Sequence, residues 1–326
     1  METINENMIK QLYKLMEEEV DEQQKNTFKN MHQGYPLETI KRFLQARDGN
    51  VTKAYKMLLD CLNWRIQSEV DNILAKPIVP TELYRAVRDS QLMGMSGYSK
   101  QGFPVIAVGV GLSTYDKASV QHYVQSHIQM NEYRDRVILP SGMNKFGRYI
   151  GSCIKILDMT GLKLSALNQI KLLTVISSID DLNYPEKTET YYIVNAPYIF
   201  SACWKVVKPL LQERTRKKVQ VLHGFGTSDL LKIMDYNSLP HFCKKEGSGS
   251  SRYGADNCFA FDHAFHQQLY EYIKRQAVLT NSSIKEGSVK VEFPEPDPDD
   301  KKIAKVIESE FQRIGHQTRF SQVNIS

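Results

Sequence analysis

Cysteine is scarce, five in 326 residues. Cys61, Cys153, Cys203, Cys243 and Cys258 stand far apart, form no CxxC pair, and are odd in number, which argues against a disulfide framework and for a reducing compartment. Long apolar runs are missing as well. No stretch approaches the ~18 residues of a membrane span, and the opening METINENMIK has no signal-peptide core. A cytoplasmic chain is expected, in which Asn50-Val51-Thr52 and Asn324-Ile325-Ser326 match the glycosylation pattern by chance. Neither sign of charge dominates: 42 Lys and Arg face 37 Asp and Glu, a net +5.

The signatures of catalysis are also absent. Gly109-Val110-Gly111 follows an apolar run, but Thr114 stands where a dinucleotide fingerprint needs its third glycine. No Gly-Lys-Ser/Thr phosphate loop and no GxSxG elbow occurs. His263 and His266 lie one helical turn apart without a third ligand near them, and read as polar residues on a solvated helix face. Asp180 and Asp181 are adjacent, hence divergent, and read as loop acids, not an acid/base pair. The balance moves from enzyme toward binding protein, with no catalytic residue, metal or cofactor expected. Nucleic acid is an unpromising partner: the basic residues lack interleaved aromatics, and the isoelectric point of about 8.7 is low for a dedicated binder.

What is present begins with helical spacing over residues 1–75: Ile4, Met8, Leu12, Leu15 and Met16, then Ile40, Phe43 and Leu44, then, beyond Asp48-Gly49-Asn50, a stripe from Val51 through Ala54, Tyr55, Leu58 and Leu62 to Arg65. Two prolines in LAKPIVP mark a boundary. From there short apolar strands are predicted at 103–111, 152–159, 190–197 and 218–224, separated by helices, one carrying Val120, Tyr123, Val124, His127 and Ile128 and one, 165–179, apolar on most of its circumference. Strands of continuous apolar character between helices predict an α/β layer with a largely parallel sheet. KKEGSGSSR (244–252) reads as a flexible loop, Asp262 as the cap of a helix through Phe265, Leu269, Tyr272 and Ile273, PEPDPDD (294–300) as an acidic proline-rich linker, and Ile303, Val306, Ile307, Phe311 and Ile314 as a last amphipathic helix. The expected domains are a helical lobe over 1–77, an α/β domain over 78–254 and a helical extension over 255–326.

The stretch 194–218 joins an apolar segment to a basic one. Phe200, Cys203, Trp204, Val207 and Leu211 share a helical face, and Pro209 is expected to kink the helix near its end. Residues 205–218 hold six cations (Lys205, Lys208, Arg214, Arg216, Lys217, Lys218) against Glu213, an excess equal to the net charge of the whole chain. One reading is a helix packed on the sheet with its polar face solvated. The other is a movable helix over an apolar pocket, its basic end toward an anionic membrane, where each Lys or Arg contributes about 1 kcal/mol.

IKRFLQARDGNVTKAYKMLLDCLNWR (40–65), ILDMTG (156–161) and YPEKTETYYIVNAPYIFSACWKVVKPLLQERTRKKVQVLHG (184–224) resemble the CRAL-TRIO lipid-binding family, and most of all its phosphatidylinositol-transfer branch of fungi and plants. The likeness covers roughly residues 35–245. It implies a helical N-terminal lobe and an α/β lobe, a mixed, largely parallel sheet flanked by helices that enclose an apolar lipid pocket. It implies a gate helix at about 200–212 with Phe200, Trp204, Val207 and Leu211. It also implies headgroup binding by Glu186, Thr215 and Lys218, and membrane contact through Lys205, Lys208, Arg214, Arg216 and Lys217. The implied protein is a monomeric cytosolic carrier of phosphatidylinositol, and of a second lipid, that visits anionic Golgi, endosomal or plasma membranes. A carrier of a tocopherol, retinoid or sterol on the same scaffold, or a protein-interaction scaffold, is the alternative. Three departures stand out. Cys153 and Lys155 replace the hydroxyl side chains of phosphatidylcholine binders, and a lysine repels choline. Asp48 follows Arg47 where a basic residue is usual. LPHFCKKEG (239–247) replaces the LPxxYGG ending of the far hinge.

Overall fold

The computed structural model describes residues 4–211, 213–244, 256–280, 289–296 and 298–323. The loop read at 244–252, beyond Lys244, and Asn324 lie outside them. Four helices open the chain: α1 (Glu6–Glu18), α2 (Glu22–His32), α3 (Pro36–Ala46) and α4 (Val51–Gln67). Their caps are local. Asp21 and Gln24 close a capping box on α2, and the Asn50 side chain accepts the Lys53 N–H at the start of α4, the role this residue plays in its supposed glycosylation triplet. Leu12, Ile40, Phe43, Leu58 and Leu62 bury the helical stripes in a core of their own.

After α5 (Thr81–Ser90) come β1 (Met93–Tyr98), β2 (Pro104–Gly109), α6 (Val120–Tyr133), α7 (Leu139–Phe146), β3 (Cys153–Asp158), α8 (Ile170–Asn183), β4 (Thr188–Val194), α9 (Tyr198–Val207), α10 (Glu213–Lys218), β5 (Val219–Val221) and α11 (Thr227–Leu230). The five strands lie in chain order across one sheet; β1 pairs antiparallel to β2 and the rest are parallel. The α/β reading with a largely parallel sheet is borne out. Strand β1 was not predicted: its MGMSGY lacks β-branched residues. Its first glycine is sterically required, because a Cβ on Gly94 would lie 1.8 Å from the Cys258 carbonyl oxygen. The last strand is shorter than its predicted 218–224.

Strand alternation sorts the sheet into two faces. Val105, Ala107, Ile154 and Ile156 point to one, where Leu230, Met234, Leu239 and Phe242 fill a dry core. LPHFC is thus a packed element, its Cys243 carbonyl accepting from the Thr227 hydroxyl at 2.5 Å. Lys155, Leu157, Tyr191 and Ile193 point to the other, where α8 and α9 cross and a cavity opens.

Two helices follow, α12 (Ala264–Leu279) and α13 (Pro298–Val323). Helix α12 is no peripheral extension: Phe265, Leu269 and Ile273 join the core formed by α6 and α8. Its cap is His263, whose ring accepts the Phe265 N–H, and not Asp262, which is exposed. His266 is fully buried, its Nε2 3.0 Å from the Cys258 carbonyl, which overturns the solvated-face reading. No described helix is long and apolar enough to cross a membrane, and no group of three or more His, Cys, Asp or Glu converges among the described residues.

Candidate functional site

The cavity between sheet and helices has a volume of about 440 Å³. Its mouth is built where β4 begins and α10 ends. Glu186 follows Pro185 with φ +58°, a left-handed conformation that costs a non-glycine residue about 1–2 kcal/mol. There its carboxylate accepts from Lys218 Nζ at 2.5 Å and lies 3.7 Å from Arg214. Arg214 also donates to the Gln45 carbonyl at 2.6 Å, tying α10 to the end of α3. Thr215 and Arg47 complete the rim. The three residues named for the headgroup, Glu186, Thr215 and Lys218, are therefore brought together.

The basic strip divides. Lys205, Lys208, Arg216 and Lys217 are exposed, whereas Arg214 turns inward to Glu186 and joins the rim, not the strip. Sequence reasoning missed that role for Arg214, because a run of four cations in six residues does not say which of them faces inward.

Another part of the cavity wall is charged, which the sequence did not suggest. Helix α6 continues into a π turn, Arg134–Ile138, a feature that recurs at functional sites. Arg134 there donates to Asp135 at 2.7 Å, and Lys187 lies 3.0 Å from the same carboxylate. Asp180, on α8 and in no loop, accepts from His127 at 2.7 Å, from Asn131 at 2.8 Å and from Lys155 at 3.2 Å. Lys155 is thus no lone cation, and the repulsion argued against choline loses its basis. Asp181 also lines the cavity and is exposed.

Burial alone would raise Asp135 and Asp180. Arg134 with Lys187, and His127 with Lys155, outweigh it and hold both well below the usual carboxylate range. Buried Glu132 is likewise lowered, by Arg65 and Arg136 against its desolvation. Each carboxyl titrates lower folded than unfolded, so its stabilisation is complete above the unfolded values near ~4 and is lost as pH falls toward the folded ones. Thermal scans should give a melting temperature that falls steeply below about pH 4, with a lower value at neutrality and a shallower acid fall in Asp180→Asn.

Helix α9 is the covering element. It ends at Val207, and Pro209 sits in one 3-10 turn, Lys208–Leu210, so the predicted gate at about 200–212 is a shorter helix with Leu211 beyond it. Phe200 and Trp204 stack with ring centroids 5.9 Å apart. Both rings, with Val207, line a second, apolar cavity of about 350 Å³ under α9, and Trp204 also lines the first. The start of α9 hangs on Asp158, the acid of ILDMTG: its Oδ1 accepts from the Thr160 hydroxyl at 2.7 Å, the Thr160 N–H at 3.0 Å and Asn195 Nδ2 at 2.9 Å. Asp158 is 3% exposed. Asp158→Ala is expected to cost about 1–3 kcal/mol by denaturant unfolding, since it strands three donors.

A mixed sheet with a helical lobe, and a cavity walled by its crossover helices, defines the CRAL/TRIO fold. The match extends over "Crystal structure of Sfh5", with a TM-score of 0.55 at 17% identity, covering 86% of this chain and 100% of that one. The family models agree: CRAL/TRIO, N-terminal domain matches residues 8–60 and CRAL/TRIO domain matches residues 88–244. The chain belongs to the CRAL/TRIO family. It is similar to phosphatidylinositol/phosphatidylcholine transfer protein SFH11 of Arabidopsis thaliana, 29% identical over 231 residues, 69% of this chain and 58% of that protein. It resembles SFH9, a phosphatidylinositol/phosphatidylcholine transfer protein of the same plant, 29% identical over 221 residues, 64% of this chain and 38% of that one. It also resembles SEC14 cytosolic factor of Eremothecium gossypii, 27% identical over 209 residues, 62% of this chain and 67% of that one. The chain thus spans 58% and 38% of the lengths of the first two.

Proposed function

We propose that this protein binds phosphatidylinositol in the cavity and exchanges it between membranes, without catalysing a reaction. The observation that carries the reading is the rim: Lys218 and Arg214 converge on Glu186 at the mouth of a cavity that α9 closes. Two cations at the mouth suit a phosphate, and the carboxylate suits inositol hydroxyls. The names of its relatives, phosphatidylinositol/phosphatidylcholine transfer proteins, support the same cargo. A lipid with roughly 30 methylenes would cost over 20 kcal/mol to place in water at ~0.8 kcal/mol each. An apolar wall offsets that cost, so exchange is near neutral in free energy and the difficulty is kinetic, namely opening at a bilayer.

The exposed Lys205, Lys208, Arg216 and Lys217 provide the approach to anionic membranes of the Golgi, endosomes or plasma membrane. The chain acts as a cytoplasmic monomer on this reading. A tocopherol, retinoid or sterol carrier has no use for the charged rim, and a pure scaffold has no use for the cavities. The test is mass spectrometry of lipid co-purifying with the full chain, paired with transfer between vesicles. Phosphatidylinositol is the expected species. A neutral terpenoid or sterol in its place, or no lipid with no transfer, overturns the reading.

A further inference from the structure

Helix α13 lies across the gate. Phe311 and Ile314, 5% and 8% exposed, pack on Cys203 of α9, with Ile307 against the same cluster. A Cβ on Gly315 would come within 3.2 Å of Leu164, so the helix also sits close on the segment before α8. Asp300 and Ile303 line both cavities, which makes α13 part of the wall of each. A helix in this position blocks outward travel of α9.

Its other face is of a different kind. At 100° per residue, the arc opposite Ile303, Ile307, Phe311 and Ile314 carries Lys301, Lys302, Lys305 and Arg313 and no acid; Asp299 and Glu308 fall at the borders, and Asp300 and Glu310 fall on the apolar side, where Glu310 reaches Arg313. Those four basic side chains are exposed and flank a groove against the exposed Val206 of α9. Tyr198, 79% exposed, begins α9 near Arg313, an aromatic of the type that sits at lipid headgroups. A basic arc opposite an apolar arc is the pattern of a helix that lies in a membrane interface. Ile303, Val306 and Ile307 are only partly covered in the docked position, so the arc keeps apolar surface that a bilayer can take over.

We infer that α13 is a lid held on α9 in solution, and that its partner is an anionic bilayer surface, which draws the helix off by its basic arc and takes over its apolar arc, freeing the gate. This rests on the reading of α9 as the gate, so the test uses a signal that needs no lipid transfer: the reaction of Cys203, covered by Phe311, with N-ethylmaleimide, assigned by mass spectrometry.

In the full chain, labelling of Cys203 should be slow in buffer and with phosphatidylcholine vesicles, and about tenfold faster once the vesicles contain phosphatidylserine. Phe311→Asp should label fast without vesicles. The triple variant Lys301→Glu, Lys302→Glu, Lys305→Glu, altered only at exposed positions, should keep Cys203 slow on both vesicles and lose about a hundredfold in affinity for the anionic ones. Equal labelling under all conditions, or acceleration by anionic vesicles that survives the triple reversal, overturns the lid. If labelling behaves as expected and no phosphatidylinositol is transferred, the lid stands and the proposed cargo falls; the converse result removes the lid alone.

Discussion

Replacing Glu132 by alanine should cost about 3–5 kcal/mol of folding stability, the penalty for leaving a buried guanidinium without its counter-charge. Arg65 is 2% exposed and donates to Glu132 twice, at 2.8 and 3.0 Å. Tyr184 and Arg136 donate to the same carboxylate at 2.7 and 2.9 Å, and Asp71 receives Arg65 at 2.8 Å. Five side chains from the helical lobe, α6 and the turn before β4 therefore share one network. Domains of this kind hold only about 5–15 kcal/mol in reserve, so the loss should be visible as a large fall in the urea midpoint at an unchanged slope. The pair Arg65→Met with Glu132→Leu should cost less than the sum of its parts, because it removes both charges together. A fall below about 1 kcal/mol for Glu132→Ala would mean that Asp71 alone satisfies Arg65. Tyr184 directly precedes Pro185 and Glu186, so the damage should extend to the rim of the cavity.

Lys218→Ala is expected to lower phosphatidylinositol transfer between vesicles by about ten- to a hundredfold, the equivalent of one charge-assisted contact to phosphate. The fold should survive, since Glu186 keeps Arg214 3.7 Å away and Lys218 is only partly buried. Lys218→Arg should recover part of the rate, for the charge is retained while the geometry changes. Transfer of a lipid without a phosphate should be unaffected. Wild-type transfer of phosphatidylinositol by the alanine variant would remove Lys218 from the headgroup site.

The parts of the fold legible in the sequence are those written in local periodicity. The apolar stripes of α1, α3 and α4, strands β2 to β4 and the amphipathic α13 all follow from spacing within one element. Strand β1 did not, because a glycine-rich edge next to the Cys258 carbonyl carries no β pattern. The end of α9 was overrun for a related reason: apolar spacing continued to Leu211, while Pro209 and the following turn broke the helix first. Long-range pairing was invisible. Arg65 and Glu132 are 67 residues apart, and nothing near Asp180 announces His127, 53 residues earlier. The rim was legible only in part: Glu186, Thr215 and Lys218 came from resemblance, whereas Arg214 entered through a carbonyl on α3 that no local pattern reveals.

The cavity lies where a layered α/β protein ordinarily has its tightest packing, between a parallel sheet and its crossover helices. On the proposed reading, a lipid bound there is structural material as well as freight, and should raise the melting temperature in proportion to the logarithm of its free concentration over its dissociation constant. The same proposal makes the molecule most fragile between unloading and reloading, which would favour swapping one lipid directly for another.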